Sequence, residues 1–287
     1  MIRFVFLLLI FFAALSCSDD PKPAQFLPAD TLSPPKKDTI TFTAIHSDTT
    51  LIISGVEVDI LIPKEYKADL LVLPGWNYSR RNAFGAGPLT KILLDKGYRL
   101  IMPEMGKSIY ATNYFPETRK DWMKYPTLTW LTDTMMPLLQ NEYGILREGD
   151  RNFIAGISTG ARGVVLVAAR NPVFTAGAAL SGDYDQTLIT NDNLMRGVYG
   201  EYSEFKERWE SIDNPAKQVD KINMPLYLGH GANDKVVPVG QAKHYYEALH
   251  TAQPSLEVIL HIDENAGHDP VYWFSEMDNI SSFFDRH

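Results

Sequence analysis

Arg151-Asn152-Phe153-Ile154-Ala155-Gly156-Ile157-Ser158-Thr159-Gly160, followed by the helix-prone stretch Ala161 to Arg170, decides the fold. An apolar strand runs into a sharp turn and then directly into a helix. Within the turn, Gly156-Ile157-Ser158-Thr159-Gly160 is a G-x-S-x-G nucleophile elbow in the context that such a motif requires. The turn forces the serine backbone into a strained conformation, tolerable only between small neighbours such as Gly156 and Gly160. It lifts the Ser158 hydroxyl above the sheet edge, at the positive end of a helix where an oxyanion can be stabilised.

Outward from this motif, strands and helices alternate. Thr39–Thr43 and Gly55–Ile62 alternate with period two and predict an antiparallel edge pair, while Leu70–Leu73 is a continuous apolar run expected of a strand buried on both faces. A helix is expected over Gly87–Lys96, a strand over Tyr98–Met102 and a helix over Leu128–Tyr143, kinked at Pro137. Beyond the elbow come strands at Ala176–Leu180, Pro225–Gly229 and Leu256–His261, a helix over Val239–Leu249 and a terminal helix over Val271–Phe284. Residues 184–221 are polar and irregular and read as a small lid. Helical crossovers between parallel strands imply a mostly parallel, doubly wound sheet flanked by helices, with ligands beyond the carboxyl ends of the strands.

A serine hydroxyl needs a base, and the base needs an orienting acid. Of seven histidines, His268 in Asn265-Ala266-Gly267-His268-Asp269 follows the last strand at the edge where the elbow emerges. It is the expected base. His230, inside Gly229-His230-Gly231, is the rival, with a backbone-satisfied turn as its more ordinary role. Asp234, in the loop between the preceding strand and helix, is the expected acid; Asp183 and Asp185 compete, and a helix N-cap is the bland alternative. The chain order Ser158, Asp234, His268 is that of α/β-hydrolases. An oxyanion hole needs two backbone N–H groups. Thr159 supplies one by position, and Trp76, in Pro74-Gly75-Trp76-Asn77 after the Leu70–Leu73 strand, is expected to supply the other unless that segment is a plain turn. Tyr110, Tyr114, Phe115, Trp122 and Tyr125 either line a binding cleft or form a satellite cluster under a long loop. Arg80, Arg81 and Arg162 either meet an acidic substrate or are solvated.

The chain of 287 residues is 45% hydrophobic and carries a net charge of −8, ordinary for a globular protein and unlike a nucleic-acid binder. Met1–Cys17 has a basic start, an apolar run too short for a comfortable membrane span, and the sole cysteine at its end. Ala14-Leu15-Ser16-Cys17 resembles a bacterial lipobox, which implies lipidation of Cys17, a lipid anchor as the membrane contact and a cell-envelope location. Ser18-Asp19-Asp20 is similar to the acidic export signal of certain surface lipoproteins. An ordinary signal peptide with an incidental cysteine is the other reading. Residues 18–38, rich in proline, read as an extended tether, leaving 39–287 as the catalytic domain.

Asn152–Ser158, Ala169-Arg170-Asn171-Pro172, Leu180-Ser181-Gly182, Met102-Pro103, Ser108-Ile109-Tyr110 and His268-Asp269-Pro270-Val271-Tyr272-Trp273 together resemble the esterase D-like family. The resemblance covers Thr39 to the C-terminus. It departs from the family where Pro74-Gly75 stands for His-Gly, and where Ala161-Arg162 replaces a second glycine after the elbow. It implies an α/β-hydrolase fold without metal or cofactor, and an exported serine esterase acting on short acyl or feruloyl-type esters, carbohydrate-linked ones included. Acyl transfer with the same triad and an inert binding lipoprotein on the same scaffold are the alternatives. A serine peptidase of the prolyl oligopeptidase type ranks lower, because the chain has no room for the extra domain such enzymes usually carry.

Overall fold

Thr49–Ile53 (β1) and Val56–Leu61 (β2) form an antiparallel hairpin closed by Ser54-Gly55, both with positive φ (51° and 82°). Two central residues of that kind match the right-handed twist of the strands they join. This corrects the expected edge pair: the partner of β2 is β1, not the segment ending at Thr43, whose N–H instead donates to Glu142 O at 2.8 Å. The computed structural model describes residues 42–82, 88–122, 127–211 and 213–287. The expected signal segment with Cys17, the tether 18–38, Thr39–Thr41 and Tyr125 lie outside the described residues.

Six more strands follow: Ala68–Leu73 (β3), Tyr98–Pro103 (β4), Asn152–Ile157 (β5), Ala176–Leu180 (β6), Leu226–Gly231 (β7) and Val258–Asp263 (β8). The sheet order is β1-β2-β4-β3-β5-β6-β7-β8, antiparallel at the β1-β2 and β2-β4 pairs and parallel from β4 to β8. This is an α/β-hydrolase fold. Because β4 and β5 flank β3 on opposite sides, the winding reverses there and opens a crevice at the carboxyl edge.

The strand pattern divides the core in two. Leu71, Leu73 and Ile154 face one side, with Val164 and Val165 of helix Thr159–Ala168. Leu70, Val72, Phe153 and Ala155 face the other, with Trp273, Phe283 and Phe284. Period-two alternation in strands buried on both faces therefore feeds two apolar layers.

The expected helix over 128–143 runs from Thr127 to Tyr143, where α turns at Thr127–Trp130 and Met136–Leu138 alternate with π turns at Leu131–Met135 and Leu139–Tyr143. Proline cannot donate to the preceding turn and crowds its carbonyl. A widened π turn before Pro137 accommodates both problems without breaking the run. The terminal helix divides into Pro270–Ser275 and Met277–Asp285. The division falls at Glu276, whose buried carboxylate accepts from Tyr227 OH (2.5 Å) and lies 2.9 Å from His261 Nδ1.

Candidate active site

Ser158 leaves β5 with φ 53° and ψ −124°, a conformation that costs a residue bearing a Cβ on the order of 1–3 kcal/mol. Packing holds it there. A Cβ on Gly160 would overlap the Leu73 carbonyl, and one on Gly156 would overlap the Gly160 carbonyl, so only glycine lets helix, β3 and β5 approach this closely. The Ser158 N–H donates to Leu180 O at 2.8 Å, tying the turn to β6.

The loop after β3 reaches the same point: a Cβ on Gly75 would lie 3.3 Å from that of Ser158. Tyr110 OH donates to Pro74 O at 2.8 Å and fixes the first peptide of the loop. Asn77 N–H and Tyr78 N–H are occupied by Gly106 O and Gly75 O. Thr159 begins the helix, where an N–H has no carbonyl of its own helix to serve. Thr159 and the Gly75-Trp76 segment thus flank Ser158 from two elements. Tyr110 in this duty was not foreseen, and its positive φ of 58° leaves no sequence signal in a tyrosine.

His268 Nε2 lies 3.0 Å from Ser158 Oγ, and His268 Nδ1 lies 2.6 Å from Asp234 Oδ2. The three residues come from the turns after β5, β7 and β8, whose carboxyl ends lie along one edge of the sheet. Trp273 packs edge-on against the His268 ring at 5.3 Å and donates from Nε1 to Ser181 Oγ at 3.1 Å, so the imidazole leans on an anchored indole. Asp234 Oδ1 accepts from Val236 N and Val237 N, both at 2.8 Å. Burial alone would raise the Asp234 carboxyl; the contacts from His230 and His268, the charge of His268 and the Val237 N–H outweigh it and hold the group well below the usual carboxylate range.

The rivals have other duties. His230 lies behind Asp234, away from Ser158, as described below. Asp183 pairs with Arg162 at 3.0 Å. Asp185 accepts from Thr187 N–H and from Asn214, as a cap. A pocket opens beside the nucleophile, walled by Ser158, Thr159, Asp183, Ile189, Met195 and Val237. Residues 184–221 thus wall the site, and their helix Asn193–Tyr199 packs Met195, Val198 and Tyr199 into a third apolar cluster with Ile109, Ala111 and Trp209.

That cluster settles the role of the aromatic loop. Phe115 and Trp122 pack against it as a satellite core, Trp122 meeting Trp76 edge-on at 4.8 Å, whereas Tyr110 is fully buried in the main core and Tyr114 is exposed. The arginine expectation is corrected as well. Arg162 is neither solvated nor open to substrate; it is wholly buried, donating to Ile109 O (3.0 Å), Asp183 (3.0 Å), Gln186 Oε1 (2.8 Å), Tyr199 OH (3.3 Å) and Asp213 O. Arg80 is largely buried among Glu57, Asp59 and Glu104, while Arg81 is exposed, as the solvated alternative has it, and pairs with Asp59.

The model of the prolyl oligopeptidase family matches residues 110–287, more than half of the chain. The chain belongs to that family. The match begins at Tyr110 and takes in the elbow, Asp234 and His268. The sequence alone ranked this peptidase family below an esterase. No curated protein matches the sequence. Among solved structures, the acylaminoacyl peptidase of Pyrococcus horikoshii is similar at 16% identity and a TM-score of 0.64, over 84% of this chain and 41% of that one. MPT51 of Mycobacterium tuberculosis is 18% identical with a TM-score of 0.65, over 84% and 98% of the two chains. The Pyrococcus furiosus esterase Pf2001 is 21% identical with a TM-score of 0.58, over 84% and 91%. These likenesses concern the fold. The chain spans about two fifths of the length of the acylaminoacyl peptidase.

Proposed function

We propose that the protein hydrolyses carboxylic esters with short acyl groups through an acyl-serine intermediate. What supports this reading is the unbroken contact chain from Ser158 Oγ through His268 to Asp234, at 3.0 and 2.6 Å. Ser158 Oγ attacks the ester carbonyl as His268 Nε2 takes its proton, and Asp234 steadies the imidazolium. The N–H groups of Thr159 and Trp76 hold the tetrahedral oxyanion. The alcohol leaves with the proton from His268, and water then cleaves the acyl-serine by the reverse steps. Ile189, Met195 and Val237 favour a small apolar acyl group in the pocket.

The family match favours a second reading, in which the leaving group is the amine of a peptide. The two separate on paired substrates: p-nitrophenyl acetate and butyrate against aminoacyl p-nitroanilides, with wild type and Ser158→Ala. Ester turnover exceeding anilide turnover in kcat/KM, and abolished in Ser158→Ala, supports the esterase. Anilide turnover that dominates replaces it with the peptidase, and ester turnover unchanged in Ser158→Ala rejects both. Export with lipidation at Cys17 is a further part of the proposal, resting on the apolar run before that cysteine. Its test is incorporation of labelled palmitate in a bacterial host, expected for wild type and lost in Cys17→Ser.

A further inference from the structure

We infer that His230 is a positioning residue that fixes the Asp234 carboxylate for its work on His268, an inference that rests on the serine hydrolase reading above. His230 is the penultimate residue of β7, with no exposed surface. Its Nε2 lies 2.9 Å from Val237 O and 3.3 Å from Asp234 Oδ2. A carbonyl and a carboxylate are both acceptors, so the ring carries its proton on Nε2. Nδ1 is buried and meets no partner among the described residues. A buried polar atom left unpaired is costly, and an aliphatic side chain at the end of this strand would avoid the cost. The imidazole has its return at Nε2.

That return reaches both oxygens of Asp234. Oδ2, the oxygen that meets His268, has the His230 Nε2–H beside it. Oδ1 accepts from Val237 N–H, and the carbonyl of the same Val237 is held by His230. One ring therefore braces the carboxylate directly and, through the Val237 residue, from the other side. Rotation of that carboxylate would turn His268 away from Ser158, and small misplacements of a reacting group are expensive in rate. The charged and titratable groups facing Asp234 are His230 on β7 and His268 after β8; Asp183 borders the pocket on the far side of Ser158.

The test compares His230→Gln, which keeps an N–H near the position of Nε2, with His230→Met, of nearly the same shape and without a donor. With p-nitrophenyl acetate, His230→Met should lose about ten- to hundredfold in kcat, the scale of one hydrogen bond to a charged group, while KM changes less than about twofold. Its acid limb in kcat/KM should move to higher pH, since an Asp234 relieved of one hydrogen-bond donor concentrates its charge on His268 and holds the imidazolium proton more strongly. His230→Gln should stay within about threefold of wild type, with the limb in place. A merely structural histidine predicts equal losses in both variants, tracking the thermal midpoint, and an unmoved limb; that result, or wild-type kcat in His230→Met, overturns the inference. If His230→Met does not fold, His230→Asn, too short to reach the carboxylate, carries the same expectations. Ser158→Ala run alongside keeps the outcomes apart: activity surviving there sinks the hydrolase reading, whereas activity lost there but intact in His230→Met sinks this inference alone.

Discussion

Asp234 and Asp183 follow neighbouring strands at the same edge of the sheet, both almost fully buried, yet their surroundings shift their proton affinities in opposite directions. Asp234 is met by His268, two backbone N–H groups and His230, and its carboxyl sits well below the usual range. Asp183 is almost fully buried, and burial pushes it up to about 6 even though Arg162 pulls the other way, with Asp192 adding to the rise. Depth alone does not decide the charge of a buried carboxyl. The number of donors aimed at it does. The better-served carboxylate is the one placed to steady an imidazolium, while the other holds a buried arginine in place.

Substitutions can break this contrast. Ser158→Ala should show the largest effect, a loss on the order of 10⁴-fold or more in kcat, measured on ester substrates with the folded fraction checked by circular dichroism. Asp234→Asn should cost about 10³- to 10⁴-fold in kcat without unfolding the chain. Asp183→Asn should leave kcat within about tenfold and lower stability by only about 1–2 kcal/mol in denaturant titration, because burial already disfavours the charged form and the amide oxygen can still accept from Arg162. A stable Asp183→Asn protein as inactive as Asp234→Asn would erase the distinction.

The pH dependence sharpens the contrast, because the two groups act with opposite sign. A folded chain holding Asp183 protonated up to about 6 binds that proton more tightly than the unfolded chain. This contribution is therefore present at low pH and declines as pH rises from the ordinary carboxylate range to about 6. The Asp234 contribution is present above the ordinary range and is lost as pH falls below it. Thermal midpoints from about pH 4 to about pH 7 should fall less steeply for Asp183→Asn than for wild type, and parallel curves would contradict the assignment. The smallest effect belongs to Trp273→Phe, which keeps an aromatic edge beside His268 but drops the hydrogen bond to Ser181; a loss of about 1 kcal/mol in stability and a few-fold in kcat is expected.

How far the sequence could be read depended on the range of the interactions. The elbow was legible because its constraint is local: strand, glycines and helix adjoin Ser158 directly. Asp234 and His268 were legible because strand ends at one edge bring them together whatever the loops do. The β1–β2 hairpin carries a local mark in Ser54-Gly55, whereas the alternation at Thr39–Thr43 is a pattern that also fits an unpaired segment. Arg162 had none, since its partners come from residues 109, 183, 186, 199 and 213 and meet only after folding. The likeness to esterases lay in short motifs, whereas the family match came from the whole stretch of residues 110–287.

Arg162 lies one helical turn beyond Ser158 and ties the elbow helix to the segments on either side of the pocket. The wall built from residues 183–199 cannot come loose on its own without stranding a guanidinium in a dry interior. Heat inactivation should accordingly coincide with cooperative melting of the whole domain rather than precede it, and amide exchange around Ile109, Gln186 and Asp213 should be as slow as in the helix that carries the serine.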